Sequence, residues 1–252
     1  MPVSLSRLAV PLIALLLSWQ ASAADLTISA ATSLTQAFKE LAPLFEAQHP
    51  DTKVLLNFGA SGALLQQIAK GAPVDVFASA DQASMDEAQA QLLVQPAQRR
   101  NFVSNALVVI VPAGSAKAPK TLQDLATPAF ARVAIGLPAS VPAGRYAKAL
   151  LDKAGLWASV EPKMIGAQNV RQALEYVARG EVDAGFVYAT DAAAMPGKVT
   201  VAFTVPTAEV PVRYPVAPVA TGPNRDAAHR FIAFLFTPSA QVVLAKHGFG
   251  KP

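Results

Sequence analysis

Cysteine is absent from the 252-residue chain. That excludes disulfides, thiolate metal sites and a cysteine nucleophile. Histidine occurs three times, at His49, His229 and His247, scattered and without zinc-ligand spacing. Charge is scarce as well: Asp, Glu, Lys and Arg make up 15% of residues, and the net charge is +4. No run of Lys or Arg exceeds the pair Arg99-Arg100. The dense cationic face that phosphate neutralisation requires is therefore missing, and no nucleic-acid partner is expected. No acid/base pair of carboxylates stands out either. Asp75, Asp81 and Asp183 stand apart and read as caps and turn residues. There is no G-x-G-x-x-G and no P-loop. Gly59-Ala60-Ser61-Gly62-Ala63 only approaches G-x-S-x-G, because Gly comes one place early.

What is present is apolar surface, 52% of residues, together with 20 prolines spread along the chain as turns. The first residues read as a secretion signal. Arg7 is followed by the apolar stretch Leu8–Leu17, and Ala21-Ser22-Ala23 supplies a small-residue cleavage site. That apolar stretch falls short of the roughly 20 residues needed to span a bilayer. The expectation is a signal peptide over 1–23, cleavage after Ala23, and a periplasmic chain without a lipid-anchoring cysteine.

From Ala24 on, short apolar runs alternate with helical stripes. Leu26–Ala31, Lys53–Phe58, Val74–Ala80, Ala106–Val111, Arg132–Gly136, Pro162–Ile165, Ala184–Tyr188, Lys198–Phe203 and Tyr214–Ala220 read as strands. Helices are expected after Ser33 as N-cap, with Pro43 kinking or restarting the first. Others follow the Gly59–Gly62 turn, Asp81, the Thr121–Asp124 capping box, Gly144 and Asn169. Two final helices cover about Asn224–Phe236 and Pro238–His247, with Gly248 as a stop. This alternation indicates an α/β fold with buried, largely parallel sheets. No linker separates two halves, so in a two-lobed chain the backbone crosses between lobes more than once.

Several strands run into a turn of small residues from which a helix starts, at Ser33, Ser61, Ala143-Gly144 and Asn169-Val170. Each helix start offers unpaired N–H groups and a partial positive charge. Several converging on one point hold an anion without Lys or Arg. One such turn alone is more often a plain cap. Arg145 and Arg171 read first as solvated helix residues, with a supporting electrostatic role near the cleft as the alternative, and the three histidines as non-catalytic.

From Leu26 onward the chain resembles the periplasmic molybdate-binding proteins of ABC importers. The resemblance is carried by Ala30-Ala31-Thr32-Ser33-Leu34-Thr35, Phe58-Gly59-Ala60-Ser61-Gly62, Gly71–Gln82, Asn105–Val109, Val141–Ala147, Asn169–Leu174, Gly185–Tyr188, Tyr214–Ala217 and His247-Gly248-Phe249. It implies a type II periplasmic-binding-protein fold, each lobe a mainly parallel sheet flanked by helices, with the ligand in the interlobe cleft. Lobe one would comprise 24–104 and 205–252, and lobe two 105–204, with crossing strands near Asn105–Val109 and Tyr214–Val219. The resemblance places molybdate, or tungstate, on Ser33, Ser61, Ala143, Val170 and Tyr188, with no side chain ligating the metal directly. It implies no cofactor, no catalysis, a membrane permease as partner and a monomer. Gly62 departs from relatives that carry Ser there, which leaves the donor set at that turn open. Alternatives are the same fold binding sulfate or phosphate, and a secreted hydrolase using Ser61. An iron binder would want adjacent tyrosines, which Tyr146, Tyr176, Tyr188 and Tyr214 do not provide. A regulatory sensor of the same fold is disfavoured by the signal sequence and the absence of a DNA-binding module.

Overall fold

The computed structural model describes residues 24–252. The expected signal peptide and its cleavage site lie outside the described residues. No single described helix is long and apolar enough to cross a membrane.

Two five-stranded sheets organise the chain. The first contains β1 (Ala24–Ala31), β2 (Thr52–Gly59), β3 (Val76–Ala78), β4 (Arg100–Asn105) and β10 (Val212–Pro218), in the order β2-β1-β3-β10-β4. The second contains β5 (Leu107–Pro112), β6 (Val133–Gly136), β7 (Met164–Ala167), β8 (Ala184–Tyr188) and β9 (Val199–Thr204), in the order β7-β6-β8-β5-β9. Each sheet has two parallel and two antiparallel pairings. Direction is nonetheless largely shared, because in each sheet a single strand runs against the other four. Those reversed strands are β5 and β10, the first to enter each sheet after the chain has crossed from the other. The two halves thus repeat one plan, a two-lobed α/β architecture.

The crossings differ from expectation in detail. The run Asn105–Val109 is not one strand: Asn105 ends β4 and Leu107 opens β5, with Ala106 between the sheets. Tyr214–Val219 is not a crossing strand either. β10 pairs only within the first sheet, and the return crossing is the segment 205–211. β4 has no strand signal in the sequence, because Arg100–Asn105 mixes polar and apolar residues, as its edge position allows.

Helices α1 (Thr35–Gln48), α2 (Ser61–Ala69), α3 (Gln82–Ala90), α9 (Arg225–Leu235) and α10 (Pro238–Lys246) belong to the first half. In the second half lie α4 (Leu122–Ala126), α5 (Pro142–Lys153), α6 (Trp157–Val160), α7 (Val170–Ala178) and α8 (Ala189–Ala193). Apolar stripes explain their packing: α7 buries Val170, Ala173, Leu174 and Val177 on one face, and α9 buries Phe231, Phe234 and Leu235. Caps fall where the residue types direct them. Asp81 accepts from Ser84 N–H at 3.2 Å, Asn169 from Gln172 N–H at 3.0 Å and Thr237 from Ala240 N–H at 3.3 Å. Gly248 takes φ +87° and stops α10. Ser33 is not an N-cap. It sits inside a short 3-10 turn, Thr32–Leu34, and α1 starts at Thr35. Pro43 does not restart α1, which is assigned continuously to Gln48.

Candidate functional site

The parallel strands of both sheets direct their carboxyl ends, and the helix starts that follow them, toward one shared cavity. In open α/β sheets this is where ligands bind. The cavity is small and partly open, with room for little more than a water molecule (about 10 Å³), and Ser33, Ser61, Ala143, Val170 and Tyr188 all lie on its wall. The remaining lining residues are Ala31, Thr32, Gly59, Ala60, Ala80, Val141 and Pro142. The structure therefore brings together all five residues singled out from the sequence. Among the described residues, no Lys, Arg, His, Asp or Glu side chain is on the wall.

Each position is built by its element. Ser61 opens α2 and is fully buried; its Oγ accepts from Ala80 N–H at 3.0 Å, so its own proton is free to be donated elsewhere. Ala143 is the second residue of α5, behind Pro142, which has no N–H to offer. Gly144 lets this helix start sit directly on β6, since a Cβ there would lie 1.9 Å from the Gly136 carbonyl oxygen. Val170 is the first residue of α7, and the Asn169 side chain caps Gln172 rather than Val170. The N–H groups of Ala143 and Val170 have no intrahelical acceptor.

Ser33 is oriented from behind. Its Oγ lies 2.9 Å from the Tyr214 hydroxyl, which in turn accepts from Asn105 Nδ2 at 3.2 Å. The amide of Asn105 is fixed, because Ala106 N–H donates to its Oδ1 at 2.9 Å and Nδ2 also donates to Thr190 Oγ1 at 2.9 Å. Tyr214 is fully buried, and Ser33 Oγ is the acceptor its proton can reach. The chain of donors then runs Asn105, Tyr214, Ser33, and leaves the Ser33 proton for the cavity.

Tyr188 ends β8 with its ring buried edge-on against Tyr214, centroids 5.7 Å apart. Its hydroxyl is buried with no hydrogen-bond partner among the described residues. Burial raises the pKa of both tyrosines well above 10, so both remain O–H donors at neutral pH. Just beyond, the Asp191 carboxylate accepts from Tyr188 N–H at 3.3 Å. Burial raises its pKa to about 6, against the opposing pull of Arg171, whose guanidinium is 3.7 Å away.

Other expectations fare unevenly. Asp75 and Asp183 do serve turns, accepting backbone N–H groups of Thr27, Asn224, Ala131 and Arg132. His247 pairs with Glu40 at 2.8 Å, His49 stacks on Phe45, and His229 is exposed. None reaches the cavity wall, so Ser61 has no base there. Arg145 and Arg171 are not free solvated residues: Arg145 Nε donates to Asp81 at 2.7 Å, and Arg171 faces Asp191. Tyr214 and Asn105 were not assigned a role from sequence. Their motifs were visible, but 181 residues separate Ser33 from Tyr214 and only the fold joins them.

Known proteins resemble this chain in sequence and fold. The family model for bacterial extracellular solute-binding proteins matches residues 26–250. Molybdate-binding protein ModA of Escherichia coli is 37% identical over 228 residues, covering 89% of this chain and 88% of that protein. ModA of Haemophilus influenzae is 34% identical over 235 residues, covering 91% of each. Among solved structures, the periplasmic molybdate-binding protein of Azotobacter vinelandii superposes with a TM-score of 0.78 at 26% identity, over 90% of this chain and 99% of that one. A sulfate-binding protein from Mycobacterium tuberculosis, at 20% identity and TM-score 0.77, shares the fold. Donor-lined cavity, doubled sheet plan and sequence relatives agree: the chain belongs to the bacterial extracellular solute-binding proteins, in the branch that holds the ModA molybdate-binding proteins.

Proposed function

We propose that this protein is a periplasmic receptor that captures molybdate, and tungstate with it, in the cleft between its lobes and delivers it to the membrane permease of an ABC importer. The five wall residues hold the oxyanion: the hydroxyls of Ser33, Ser61 and Tyr188, and the backbone N–H groups at Ser33, Ser61, Ala143 and Val170. Lobe one is 24–104 with 205–252, lobe two is 105–204, and the mature monomer begins at Ala24.

The observation that carries this reading is the Tyr188 hydroxyl. A buried O–H without a partner costs on the order of 1–3 kcal/mol, and it stands on a wall with hydroxyl and helix-start N–H donors and no side-chain carboxylate among the described residues. An acceptor-rich ligand removes that cost. Hydrogen bonds to a charged acceptor contribute about 1.5–3 kcal/mol each, so several convergent donors offset the desolvation of a dianion without a cation. A wall with no side-chain carboxylate favours an anion that keeps no proton. This places fully deprotonated molybdate above hydrogen phosphate, whose proton needs an acceptor. It also disfavours a hydrolase, since Ser61 has no base within the cavity.

A melting-temperature series with molybdate, tungstate, sulfate and phosphate tests the proposal. Binding to the folded state alone at a hundredfold excess over Kd stabilises by about 2.7 kcal/mol. Molybdate and tungstate are expected to raise Tm and phosphate to leave it unchanged. A response to sulfate or phosphate with none to molybdate refutes the assignment of cargo.

A further inference from the structure

We infer that Arg145 and Gly62 form an interlobe latch that sets how tightly the two lobes shut on the bound oxyanion. The inference rests on the receptor reading above and adds to it two residues outside the binding shell.

Arg145 lies on α5, in the second lobe. Its Nε donates to Asp81 Oδ2 at 2.7 Å and its Nη2 to Ser84 Oγ at 2.7 Å, both at the start of α3 in the first lobe. Its Nη1 is tied to its own lobe through the carbonyls of Pro138 and Ala139, at 3.3 and 3.2 Å. The guanidinium therefore spans the cleft with its fork divided between the lobes, the geometry for which Arg is suited and Lys is not. Asp81 is almost fully buried and is shaped to receive it. One of its oxygens caps α3 and accepts from Ser79 Oγ, which leaves the other for Arg145.

Gly62 makes the second contact. Its N–H, the second of α2, donates to the Ser140 carbonyl of the other lobe at 3.0 Å. One helix-start amide is thus committed to the opposite lobe rather than to the cavity. A Cβ at this position would lie 2.8 Å from Ser140 O and 2.9 Å from its Cα. Backbone cannot yield there as a flexible side chain would, so any larger residue holds the lobes apart. The absence of a side chain at Gly62 is what permits this closeness.

Latch and ligand shell share their backbone. Ala80, next to Asp81, bonds Ser61 and lines the cavity, and Ala143 lies two residues from Arg145. Closing the latch therefore seats donors from both lobes together, a hinge-type closure with its locking contacts beside the cargo.

The test uses calorimetric titration of molybdate into wild type, Arg145→Met, Arg145→Lys and Gly62→Ala, with the ligand-free Tm of each. Truncating a partner of a buried charge pair acts mainly on release. Arg145→Met is expected to weaken binding by about tenfold or more, and Arg145→Lys to recover only part. Gly62→Ala is expected to weaken binding while its ligand-free Tm holds or rises, because Ala favours a helix over Gly. A purely structural role would move affinity and Tm in the same direction. The cysteine-free chain also permits spin labels at Lys70→Cys and Lys153→Cys, on opposite lobes. Saturated wild type should show one short distance, and both saturated variants a longer or broader one. Met and Ala variants that bind within twofold of wild type and close to the same distance overturn the latch. A wild type that binds no molybdate overturns instead the receptor reading beneath it.

Discussion

Replacing Tyr188 with Phe separates binding from stability. The substitution keeps a ring that is 1% exposed and packed on Tyr214, and it removes one oxygen. That oxygen has no partner among the described residues. In the ligand-free protein nothing is lost, and a buried unsatisfied group costing on the order of 1–3 kcal/mol is removed. For a domain of this size each kcal/mol moves Tm by about 2–4 °C, so the ligand-free Tm should hold or rise by a few degrees. In the complex, one hydrogen bond to a charged acceptor disappears. At about 1.5–3 kcal/mol and tenfold per 1.4 kcal/mol, affinity for molybdate should fall by about ten- to a hundredfold. Titration calorimetry and differential scanning calorimetry on the same preparations read both quantities. Unchanged affinity together with a lower ligand-free Tm would show that the hydroxyl serves the fold, and would refute its place in the binding shell.

Three further outcomes follow from the same geometry. Ser61→Ala removes a donor to the anion and the acceptor of Ala80 N–H at once, so calorimetry should show both weaker binding and a Tm lower by several degrees. Tyr214→Phe breaks the donor chain behind Ser33 without touching the cavity wall; titration should show a several-fold loss, smaller than that of Tyr188→Phe. Asp191 governs a pH dependence. Its folded pKa of about 6 lies above the usual 3.8, so the folded protein holds this proton more tightly than the unfolded chain. Its contribution to stability is therefore greatest below about pH 4 and is lost as pH rises to about 6. The span is on the order of 3 kcal/mol. In Asp191→Asn the Tm difference from wild type should grow between pH 4 and 6 and level off above; a constant difference contradicts the assignment.

Much of this was legible in the order of residues because it depends on local rules. Alternating apolar runs and helical stripes fix an α/β class, and Asp81, Asn169, Thr237 and Gly248 mark helix ends through bonds that span a few residues. Short side chains at the strand-to-helix turns pointed to Ser33, Ser61, Ala143 and Val170, since a helix start exposes its amides whatever surrounds it. The family resemblance added Tyr188, which no local rule singles out.

Tertiary structure decided what depends on distance through space. Ser before an apolar stripe usually caps a helix, and Ser33 fits that pattern in sequence. Its hydroxyl instead meets Tyr214, which reaches it only because β10 returns from the other lobe to lie between β3 and β4. Sequence leaves Arg145 between a solvated helix residue and an electrostatic support near the cleft; its partners Asp81 and Ser84 come from the opposite lobe. Gly62 had no visible purpose until Ser140 stood where its side chain would be. Local sequence sets which groups are left without partners at each turn, because those groups answer to neighbours along the chain. Which of them face one another across a cleft is set by two sheets that the chain crosses twice, and no window of sequence contains that.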